Sequence, residues 1–568
     1  MYVGDIKRVN ISGSSFAYFI MSNSVYVDKT RLIEHFLTHS SQVHIVCRQR
    51  RLGKSLNLNT LYCFLRDTAD YRHLFKDLYI SKSPVWPLAN STPTFLLDFK
   101  NLSKESYRND IIGMIGGYIQ GYLVKHPCPA HLTDKMQDWS NRASDGTGGL
   151  KLLIDLAAHI NGSDTPAAPG VDNPQKPVLL IDEYDNLLMR VLDDHAKYLE
   201  VRDYLTELLS AAIKGNDNLG RVMLTGCTRI SHEGMLSGLN NPKIFDVFED
   251  ELYTDDYGFT EDEMTELCSD AGIDIDKARE WYNGVLVAGK PIYNTFGVMN
   301  YVEKGKTGNY WGKSGNLDRI VSMLTPQRRR AIVLLLEEGA SLEVDITARM
   351  SPDRLLASKE DKLGKTDPDF YSFLVQAGYL ALSDYENDSG TITVPNRELR
   401  MVWQKFILND VLTEDATPQI NLLHVDDLAA LCERLQTYLK GLLDFLSFND
   451  LPTRVYSDDK RRVDEILYQH LMYGIFAALH SSLGYRSVKS NREAGGGRYD
   501  ISLESDDQVI IMELKTAAED EDLSAKANEA LKQIKKKRYS AEFPGKNVVA
   551  IGLGFCKKNC AAAAEELA

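Results

Sequence analysis

The sequence predicts an α/β protein of several domains, and three observations lead to this fold class. The chain has 568 residues, too many for one hydrophobic core. Near-continuous apolar runs alternate with helical patterns in the first part, which is typical of a parallel sheet with helices on both faces. A last part, from about 455, combines two helices with strands that form a second α/β domain. The four apolar runs of the first part are 41–47, 92–99, 177–185 and 221–226.

We expect three regions along the chain. Residues 1–257 form the domain with the parallel sheet, 258–450 form a mostly helical connecting region, and 451–568 form the second α/β domain. Within the connecting region, residues 369–403 have the pattern of a helix, a two-stranded wing and another helix. The middle of the chain is therefore predicted to be helical and winged-helix-like.

The composition is that of a soluble globular protein, with 43% apolar and 26% charged residues. A net charge of -15 disfavours a broad electrostatic surface for nucleic acid, so any such contact must be local. The eight cysteines show no zinc-ribbon spacing and are expected to be reduced thiols. The sequence shows no apolar run that could span a bilayer and no signal-peptide pattern at its start. We expect a cytoplasmic protein without a membrane partner.

The segment CRQRRLGKSLNL predicts a phosphate-binding loop. Gly53, Lys54 and Ser55 follow an apolar strand and open a helix, where backbone N–H groups face an anion. The lysine would reach the β- and γ-phosphates, and the serine hydroxyl would bind Mg²⁺. Arg48 stands where the pattern GxxxxGK[ST] has its first glycine. Alternatively, the arginines of this segment form only a solvated basic turn.

A second strand, VLLIDE, supports nucleotide binding because it ends in acids at the carboxyl edge of the sheet. Asp182 would hold Mg²⁺ and Glu183 would polarise the attacking water. Thr225, at the tip of the next strand, is a candidate γ-phosphate sensor, and Arg229 is a candidate charge stabiliser. An acid pair of this kind can also be a simple helix start. The order of these elements indicates the additional-strand type of P-loop NTPase.

Residues 5–320 resemble an AAA-ATPase-like family that usually carries R-P-R-R-F-G-K-[ST]. The resemblance implies ATP and Mg²⁺ as ligands, with Arg48 and Arg51 as features of the loop and Gln49 in place of the usual proline. Asp28, Lys29 and Thr30 match a family motif for which a structural role is expected at least as readily as a chemical one. The matching blocks are VYVDKTRLIEHFL (25–37), RQRRLGKSLNLNTL (48–61), VLLIDEYDN (178–186), LTGCTRIS (224–231), YGFTEDE (257–263), WYNGV (281–285), PIYNTFGVMNY (291–301) and YWGKSGN (310–316).

The segment GRYDISLESDDQVIIMELK (497–515) predicts a second chemical site. Glu513 and Lys515 point to the same side of a strand, and a hairpin turn brings Asp500 beside them. Two close carboxylates cannot both ionise cheaply unless a cation lies between them, and oxygen ligands favour Mg²⁺ or Mn²⁺. The spacing D-x12-E-x-K is the PD-(D/E)XK nuclease signature. Alternatively, these residues pair on the exposed face of an edge strand.

The block from Glu465 to GLGF (552–555) is similar to the nuclease domain that often follows this AAA-ATPase-like domain. The resemblance implies a restriction-endonuclease-like fold. Glu465 on the preceding helix is a further metal ligand, and Gln533 on the following helix positions the lysine and the substrate. Tyr539 is a weaker match on that helix because its spacing from Gln533 is wide. Glu493 is an additional acidic candidate.

The sequence thus predicts an ATP-binding P-loop domain, with ATPase activity expected, and a metal-dependent nuclease in one chain. Nucleic acid, DNA in the first place, is the expected partner. Two alternatives stay open: a nucleotide-dependent switch, and a remodelling ATPase, each with a nuclease-like domain that does not cut and at most binds nucleic acid or a partner protein. Homo-oligomerisation also stays open, since an arginine finger supplied in trans would need a neighbouring copy.

Overall fold

The computed structural model groups the chain into two compact units. The first contains residues 1–314, 343–360 and 365–398, and the second contains 315–342, 361–364 and 399–568. The predicted boundary at 450/451 and the end of the block 310–316 lie outside the described residues. The structure describes residues 2–11, 13–141, 147–164, 175–229, 239, 242–248, 252–287, 289–311, 320, 323–336, 339–351, 355, 367–403, 423, 427–444, 460–479, 483–494, 496–518 and 520–567.

Twelve strands precede residue 400 in the described ranges. They are β1 (Tyr2–Val3), β2 (Tyr26–Val27), β3 (Val43–Cys47), β4 (Thr94–Asp98), β5 (Val178–Asp182), β6 (Arg221–Gly226), β7 (Lys243–Phe245), β8 (Asn283–Val287), β9 (Lys290–Tyr293), β10 (Leu342–Asp345), β11 (Ala381–Glu386) and β12 (Ser389–Thr393). The helices of the same part are α1 (Phe16–Met21), α2 (Arg31–Thr38), α3 (Lys54–Leu65), α4 (Tyr107–Lys125), α5 (Thr133–Asn141), α6 (Gly149–Asn161), α7 (Asn186–Arg190), α8 (His195–Ile213), α9 (Glu261–Ala271), α10 (Ile275–Tyr282), α11 (Thr295–Lys304), α12 (Pro326–Leu335) and α13 (Pro368–Ala377).

A five-stranded parallel sheet forms the centre of the first unit, in the order β4–β5–β6–β3–β7. Every residue of β3 and β5 is buried, which explains their continuous apolar sequences. Helix α3 packs on β4, β5 and β6. Strand β6 lies between β3, which leads into the glycine–lysine–serine turn, and β5, which ends in the acids. The predicted additional-strand arrangement is therefore observed in space.

The Asp28–Lys29–Thr30 motif has structural contacts. The carboxylate of Asp28 accepts hydrogen bonds from the backbone N–H and hydroxyl of Thr30 and from the backbone N–H of Tyr79. The ammonium of Lys29 donates to Glu263 at 2.6 Å, at the start of α9. The motif thus fastens the segment before α2 to two distant parts of the first unit.

Most of the predicted winged-helix-like segment, residues 369–398, belongs to the first unit, and residues 399–403 belong to the second. Strands β10, β12 and β11 form a three-stranded sheet in that order, and residues 397–403 are helical. We call helix α13 with strands β10, β11 and β12 the wing element. Residues 369–377 of α13 are all buried. The first compact unit extends across 257/258, and the domain boundary predicted there stays a prediction.

The second unit is built on a mixed sheet of five strands. Its order is β13–β14–β15–β16–β17, and only the β15–β16 pair is parallel. Its strands are β13 (Ser487–Ala494), β14 (Gly497–Glu504), β15 (Gln508–Thr516), β16 (Asn547–Cys556) and β17 (Asn559–Leu567). Its later helices are α14 (Leu428–Asp444), α15 (Lys460–Leu479) and α16 (Leu523–Lys537).

Helices α15 and α16 lie on opposite faces of this sheet. Phe555 of β16 stacks on Tyr468 of α15, with ring centroids 4.5 Å apart. Val548 and Ala550, whose side chains alternate with that of Phe555, pack with Ile534 of α16. The edge strand β17 was not predicted. It pairs along β16 and is covered by α14.

Among the helices of the described ranges, none combines the length and the apolar character that crossing a bilayer requires.

A close approach of α16 to β16 depends on glycine. A Cβ at Gly552 would lie 2.0 Å from the carbonyl oxygen of Ala527 in α16. We expect Gly552→Ala to destabilise the second unit by about 1–3 kcal/mol, because overpacking must move the helix. Hydrogen exchange of the β16 amides measures this loss. Gly474→Ala in α15 is the matched control, since a Cβ there meets nothing within 4 Å. Equal protection of β16 in both variants would contradict the prediction.

A buried carboxyl group makes the stability of the first unit depend on pH. Glu398 is 2% exposed, and its Oε1 accepts hydrogen bonds from the backbone N–H groups of Tyr310 and Trp311. Burial outweighs these bonds and raises the pKa of Glu398 to about 7. The neutral form therefore stabilises the fold fully below about pH 4.5, and this contribution, on the order of 3 kcal/mol, is lost as the pH rises through 7.

Glu398→Gln cannot ionise and should lack this part of the pH dependence. Scanning calorimetry of both proteins between pH 5 and 8.5 measures it. We expect the melting temperature of the wild type to fall relative to that of the variant as the pH rises. Parallel pH profiles for the two proteins would show that Glu398 does not titrate in this range.

Candidate active sites

The arginine-rich loop (residues 48–53) joins the end of β3 to the start of α3. Gly53 has a φ of 79°, a left-handed conformation that glycine adopts without strain, and Lys54 is the first residue of the helix. Ser55 follows it and is half-buried. The N-terminal N–H groups of a helix are a natural anion site, and here they lie at the carboxyl edge of a parallel sheet.

The ammonium of Lys54 is held over this loop. It donates to the carbonyl oxygens of Arg48 at 2.8 Å and Gln49 at 2.9 Å, and it lies 3.3 Å from the sulfur of Cys227. The lysine is buried, so its charge is concentrated at the loop and not in solvent. A phosphate that binds here would compete with these carbonyls for the same three N–H donors.

Arg48 was predicted to contact the nucleotide, but its side chain lies in the interior of the first unit. Its guanidinium is fully buried and donates to the carbonyl oxygens of Cys47 and Phe245. It also lies 5.8 Å from the ring centroid of Tyr257. These contacts fasten the loop to β7, so Arg48 shapes the loop from behind.

Arg51 lies on the exposed side of the arginine-rich loop. Its φ is 68°, and its backbone carbonyl accepts a hydrogen bond from the hydroxyl of Thr295. Its guanidinium lies over the ring of Phe296, 4.4 Å from the centroid. The start of α11 therefore fixes the conformation of this arginine.

The acids that follow β5 lie at the same edge of the sheet. Asp182 is 5% exposed, and its Oδ1 accepts from the hydroxyl of Thr225 at 2.6 Å and from the backbone N–H of Glu183. Burial raises the pKa of Glu183, and the nearby charge of Lys54 opposes that rise. The structure thus brings Lys54, Asp182, Glu183 and Thr225 together. Thr225 holds the aspartate directly, a contact that the predicted sensor role did not include.

Asp185 is an organising residue that the sequence analysis did not single out. Its Oδ2 accepts from the backbone N–H groups of Cys227 and Thr228 and from the Thr228 hydroxyl, at 2.7–3.0 Å. It therefore fixes the turn after β6 that carries Cys227 toward Lys54. The signal that could have found it is the third acid in the sequence DEYD.

Arg229, predicted as a charge stabiliser, is bound in a buried ion pair. Its guanidinium contacts Asp246 at 3.1 Å, and Asp246 is 1% exposed. Its backbone N–H donates to the side chain of Gln376 in α13. In this arrangement the charge of Arg229 is directed to Asp246.

In the second unit, strands β14 and β15 separate at the predicted carboxylates. The paired register ends at Ile501 and Met512, one position before Asp500 and Glu513 would face each other. The Asp500 side chain fills the gap, because its Oδ2 accepts the backbone N–H of Leu514 at 2.7 Å. The aspartate is thereby fixed next to the strand that carries Glu513 and Lys515.

Glu513 is almost completely buried, with 3% of its surface exposed. Its Oε1 accepts a hydrogen bond from Gln533 of α16, whereas the sequence analysis expected that glutamine to position Lys515 and the substrate. Its Oε2 has no hydrogen-bond partner in the described part of the chain. Burial raises the pKa of both Glu513 and Asp500, the neighbouring Asp500 carboxylate raises that of Glu513 further, and Lys515 opposes both shifts.

Glu465 lies at the same end of the sheet. Its carboxylate is 3.8 Å from the Lys515 ammonium and accepts the backbone N–H of Thr516 at 3.4 Å. Its charge also raises the pKa of Asp500, which places it within electrostatic range of that group. Helix α15 therefore supplies a third carboxylate at this end of the sheet, and its role as a metal ligand stays a prediction.

Two other candidates have different places. Glu493 is on the surface, with a side chain 77% exposed and paired with Arg498, so the structure does not bring it to the carboxylate cluster. The hydroxyl of Tyr539 donates to the carbonyl of Arg498, and its ring lies near that of Tyr499. Gln469 of α15, which sequence reasoning missed, donates to the backbone carbonyl of Asp500.

The donor set of this second site fits a divalent cation. The half-buried Asp500 and the buried Glu513 are neighbouring carboxylates, and one oxygen of Glu513 lacks a partner in the described residues. An unpaired buried carboxylate oxygen is costly, and a cation removes that cost. Oxygen donors of this kind suit Mg²⁺ or Mn²⁺.

A third group of metal-binding residue types lies in the first unit. Ligand atoms of His131, His159 and Asp164 are within 4.8 Å of one another. The hydrogen bond from His159 to Asp164, at 2.8 Å, and the edge contact of the two imidazole rings account for this arrangement without an ion.

Comparison with known families identifies the two domains that contain these residues. Residues 10–236 match the family model described as "Predicted AAA-ATPase", and residues 463–565 match a model of the PD-(D/E)XK nuclease superfamily. The chain joins an AAA-ATPase-like domain to a PD-(D/E)XK nuclease superfamily domain. The matched ranges contain every candidate residue discussed above, including Lys54 and Asp182 in the first and Asp500 and Glu513 in the second.

Individual relatives were also found. A curated protein of Azotobacter chroococcum mcd 1, described as "Uncharacterized protein in vnfD 5'region", is 25% identical over 563 residues, which cover 97% of both chains. A solved structure of the Walker-type ATPase PABY2304 of Pyrococcus abyssi matches 66% of this chain and 94% of its own, with 14% identity and a TM-score of 0.36. The curated relative extends across both the AAA-ATPase-like and the nuclease-superfamily domains.

Proposed function

We propose that the protein binds and hydrolyses ATP at its AAA-ATPase-like domain and that its C-terminal domain is a metal-dependent nuclease. The substrate class is nucleic acid, with DNA as the first candidate. The observation that carries the nuclease proposal is the convergence of Asp500, Glu513 and Lys515, with a buried oxygen of Glu513 left without a partner in the described residues. The reaction is hydrolysis of a phosphodiester bond.

Each residue of the nuclease site has a distinct role in this proposal. Asp500 and Glu513 would hold the cation, with Glu465 beside them, and the cation would supply charge stabilisation and an activated water. Lys515 orients the attacking water and balances the negative charge that develops on the phosphate. Gln533 fixes the Glu513 carboxylate through its hydrogen bond, so the ligand is oriented before the substrate binds.

The ATP site follows the same logic. Lys54 would exchange its loop carbonyls for the β- and γ-phosphates of ATP, and Ser55 and Asp182 would hold Mg²⁺. Thr225 keeps the Asp182 carboxylate in place. Glu183, half-buried next to Lys54, is the candidate that polarises the attacking water.

A second reading has a specific observation in its favour. The net charge of -15 is unusual for a machine that moves along DNA, so the protein fits a nucleotide-dependent switch or a remodelling ATPase whose nuclease-like domain only binds nucleic acid or a partner. Strong ATP turnover without cleavage of any nucleic acid would select this reading.

Removal of either carboxylate should abolish cleavage. We expect Asp500→Ala and Glu513→Ala to lower Mn²⁺- or Mg²⁺-dependent cleavage at least about 100-fold, because the cation loses a ligand. Gel assays on single- and double-stranded DNA and on RNA measure it, and chelation of the metal should have the same effect. Glu493→Ala, an exposed glutamate of the same domain, is the control and should cleave normally. Cleavage that survives in both carboxylate variants would reject the nuclease assignment.

The ATP site can be divided into binding and turnover. We expect Lys54→Ala to abolish ATP binding in titration calorimetry, because the ammonium at the loop is lost. Glu183→Gln should bind ATP normally but turn it over on the order of 100-fold more slowly, because it cannot accept a proton from water. Normal turnover in Glu183→Gln would remove that residue from the mechanism. Cleavage assays with and without ATP, and with Lys54→Ala, also show whether ATP controls the nuclease.

A further inference from the structure

The wing element contacts the ATP site through helix α13, and the polar residues of this helix show how. Asp369 and Ser372 of this helix are buried. The Asp369 carboxylate accepts a hydrogen bond from the backbone N–H of Ser351 at 2.6 Å, and the Ser372 hydroxyl accepts one from the backbone N–H of Thr347 at 2.8 Å. Both bonds hold α13 to the segment that follows β10. Gln376, another buried polar side chain of this helix, bonds to a different part of the unit.

Gln376 connects α13 to the turn after β6. Its Oε1 accepts the backbone N–H of Arg229 at 2.6 Å, two residues beyond Cys227, which contacts Lys54. The side chain is 1% exposed, and its Nε2 has no hydrogen-bond partner in the described ranges. A buried amide donor without a partner is rare and costly, so this side chain has capacity for a contact it does not make here.

Gln49 makes a second connection, from the arginine-rich loop itself. Its Nε2 donates to the carbonyl oxygen of Val375 in the last turn of α13, at 2.9 Å. Gly378 ends the helix with a φ of 89°, and a Cβ there would lie 3.0 Å from the Gln49 side chain. The close contact therefore needs both a glycine at the end of α13 and a donor at position 49, which the proline usual in the resembling family lacks.

These bonds form a continuous path from the phosphate-binding lysine to α13. Lys54 bonds the backbone carbonyl of Gln49, and the side chain of Gln49 bonds α13. A phosphate that draws the Lys54 ammonium away from the Gln49 carbonyl removes one hydrogen bond from Gln49. The side chain of the same residue holds α13, so the change is passed to that helix. A second connection to the same helix turn is the hydrogen bond from the backbone of Arg229 to Gln376. Arg229 lies two residues after Cys227, which contacts Lys54.

The surface of the wing element does not suit nucleic acid. Residues 369–377 of α13 are buried, so the helix cannot enter a groove. Three acids are exposed at the end of β11 and in the turn that follows it, Asp384, Glu386 and Asp388, and they would repel a phosphate backbone. The element is directed toward the ATP site and not toward DNA.

We infer that the wing element is the part of the protein that responds to ATP, and that Gln49 and Gln376 are the positioning residues that transmit the response. The inference rests on the proposed ATP binding. It assigns to Gln49 a role that a proline at this position could not fulfil, because proline has no side-chain donor. It also gives a function to the Nε2 of Gln376, which has no partner in the described residues, as a donor available when the turn after β6 rearranges.

Hydrogen exchange of the full-length protein tests this, with and without Mg²⁺ and a non-hydrolysable ATP analogue. In the wild type we expect the analogue to change exchange in peptides covering 368–393. Gln49→Met and Gln376→Met, which keep the volume but remove the hydrogen-bonding groups, should lose this change while still binding the analogue in titration calorimetry. Ser372→Ala is the matched control, since it removes an equally buried hydrogen bond of the same helix that does not reach the ATP site.

The outcomes separate the two proposals. If the wild type binds the analogue but exchange in 368–393 does not change, or if the two methionine variants respond as Ser372→Ala does, the wing element does not respond through these residues, and the proposed ATP binding stands. If the wild type does not bind the analogue at all, the proposed function of the first domain fails and this inference fails with it.

Discussion

The cost of burying a carboxylate at the end of an apolar strand is the constraint on which both sites depend. Such a group must gain hydrogen bonds or a cation, or else become neutral. Asp182 gains the Thr225 hydroxyl and a backbone N–H. Gln533 donates a hydrogen bond to one oxygen of Glu513, and the other oxygen has no partner in the described residues. The same principle thus gives a prearranged acid in the first unit and a carboxylate that fits a cation in the second.

The elements that carry these acids could be predicted because their sequences contain strong local signals. The helix from Lys54 to Leu65 and the strands that end at Asp182 and Gly226 follow from continuous apolar runs bounded by glycine and acids. The convergence of Asp500 with Glu513 followed from strand alternation and one turn. Gln533 and Glu465 were found through a family resemblance, and the structure places both at the cluster.

The remaining features depend on contacts between residues far apart in sequence. Nothing in the local pattern shows that Arg48 turns inward to Phe245, or that Gln49 reaches Val375. Strand β17 was missed because NCAAAAEEL is rich in residues that favour helices, and its pairing with β16 overrides that preference. Glu493 shows the opposite case: its position on β13 fitted the site, but its side chain is exposed and paired with Arg498.

The organisation of the first unit changes the meaning of the winged-helix-like pattern. A helix and wing suggest a nucleic-acid reader, but α13 is buried and bonded to the two loops that surround Lys54. Local sequence cannot distinguish an exposed recognition helix from one that packs on an ATP site, since both are amphipathic or apolar. The exposed acids at the end of β11 and in the turn after it are the sequence feature that distinguishes the two cases.

The central claim is that Asp500 and Glu513 hold one divalent cation beside Lys515. A crystal of the full chain grown with Mn²⁺ tests it directly, because manganese can be located by its anomalous scattering. The account predicts a single strong peak at coordination distance, about 2 Å, from oxygens of both carboxylates. A crystal in which manganese is absent from this site, with both carboxylates directed elsewhere, would contradict it.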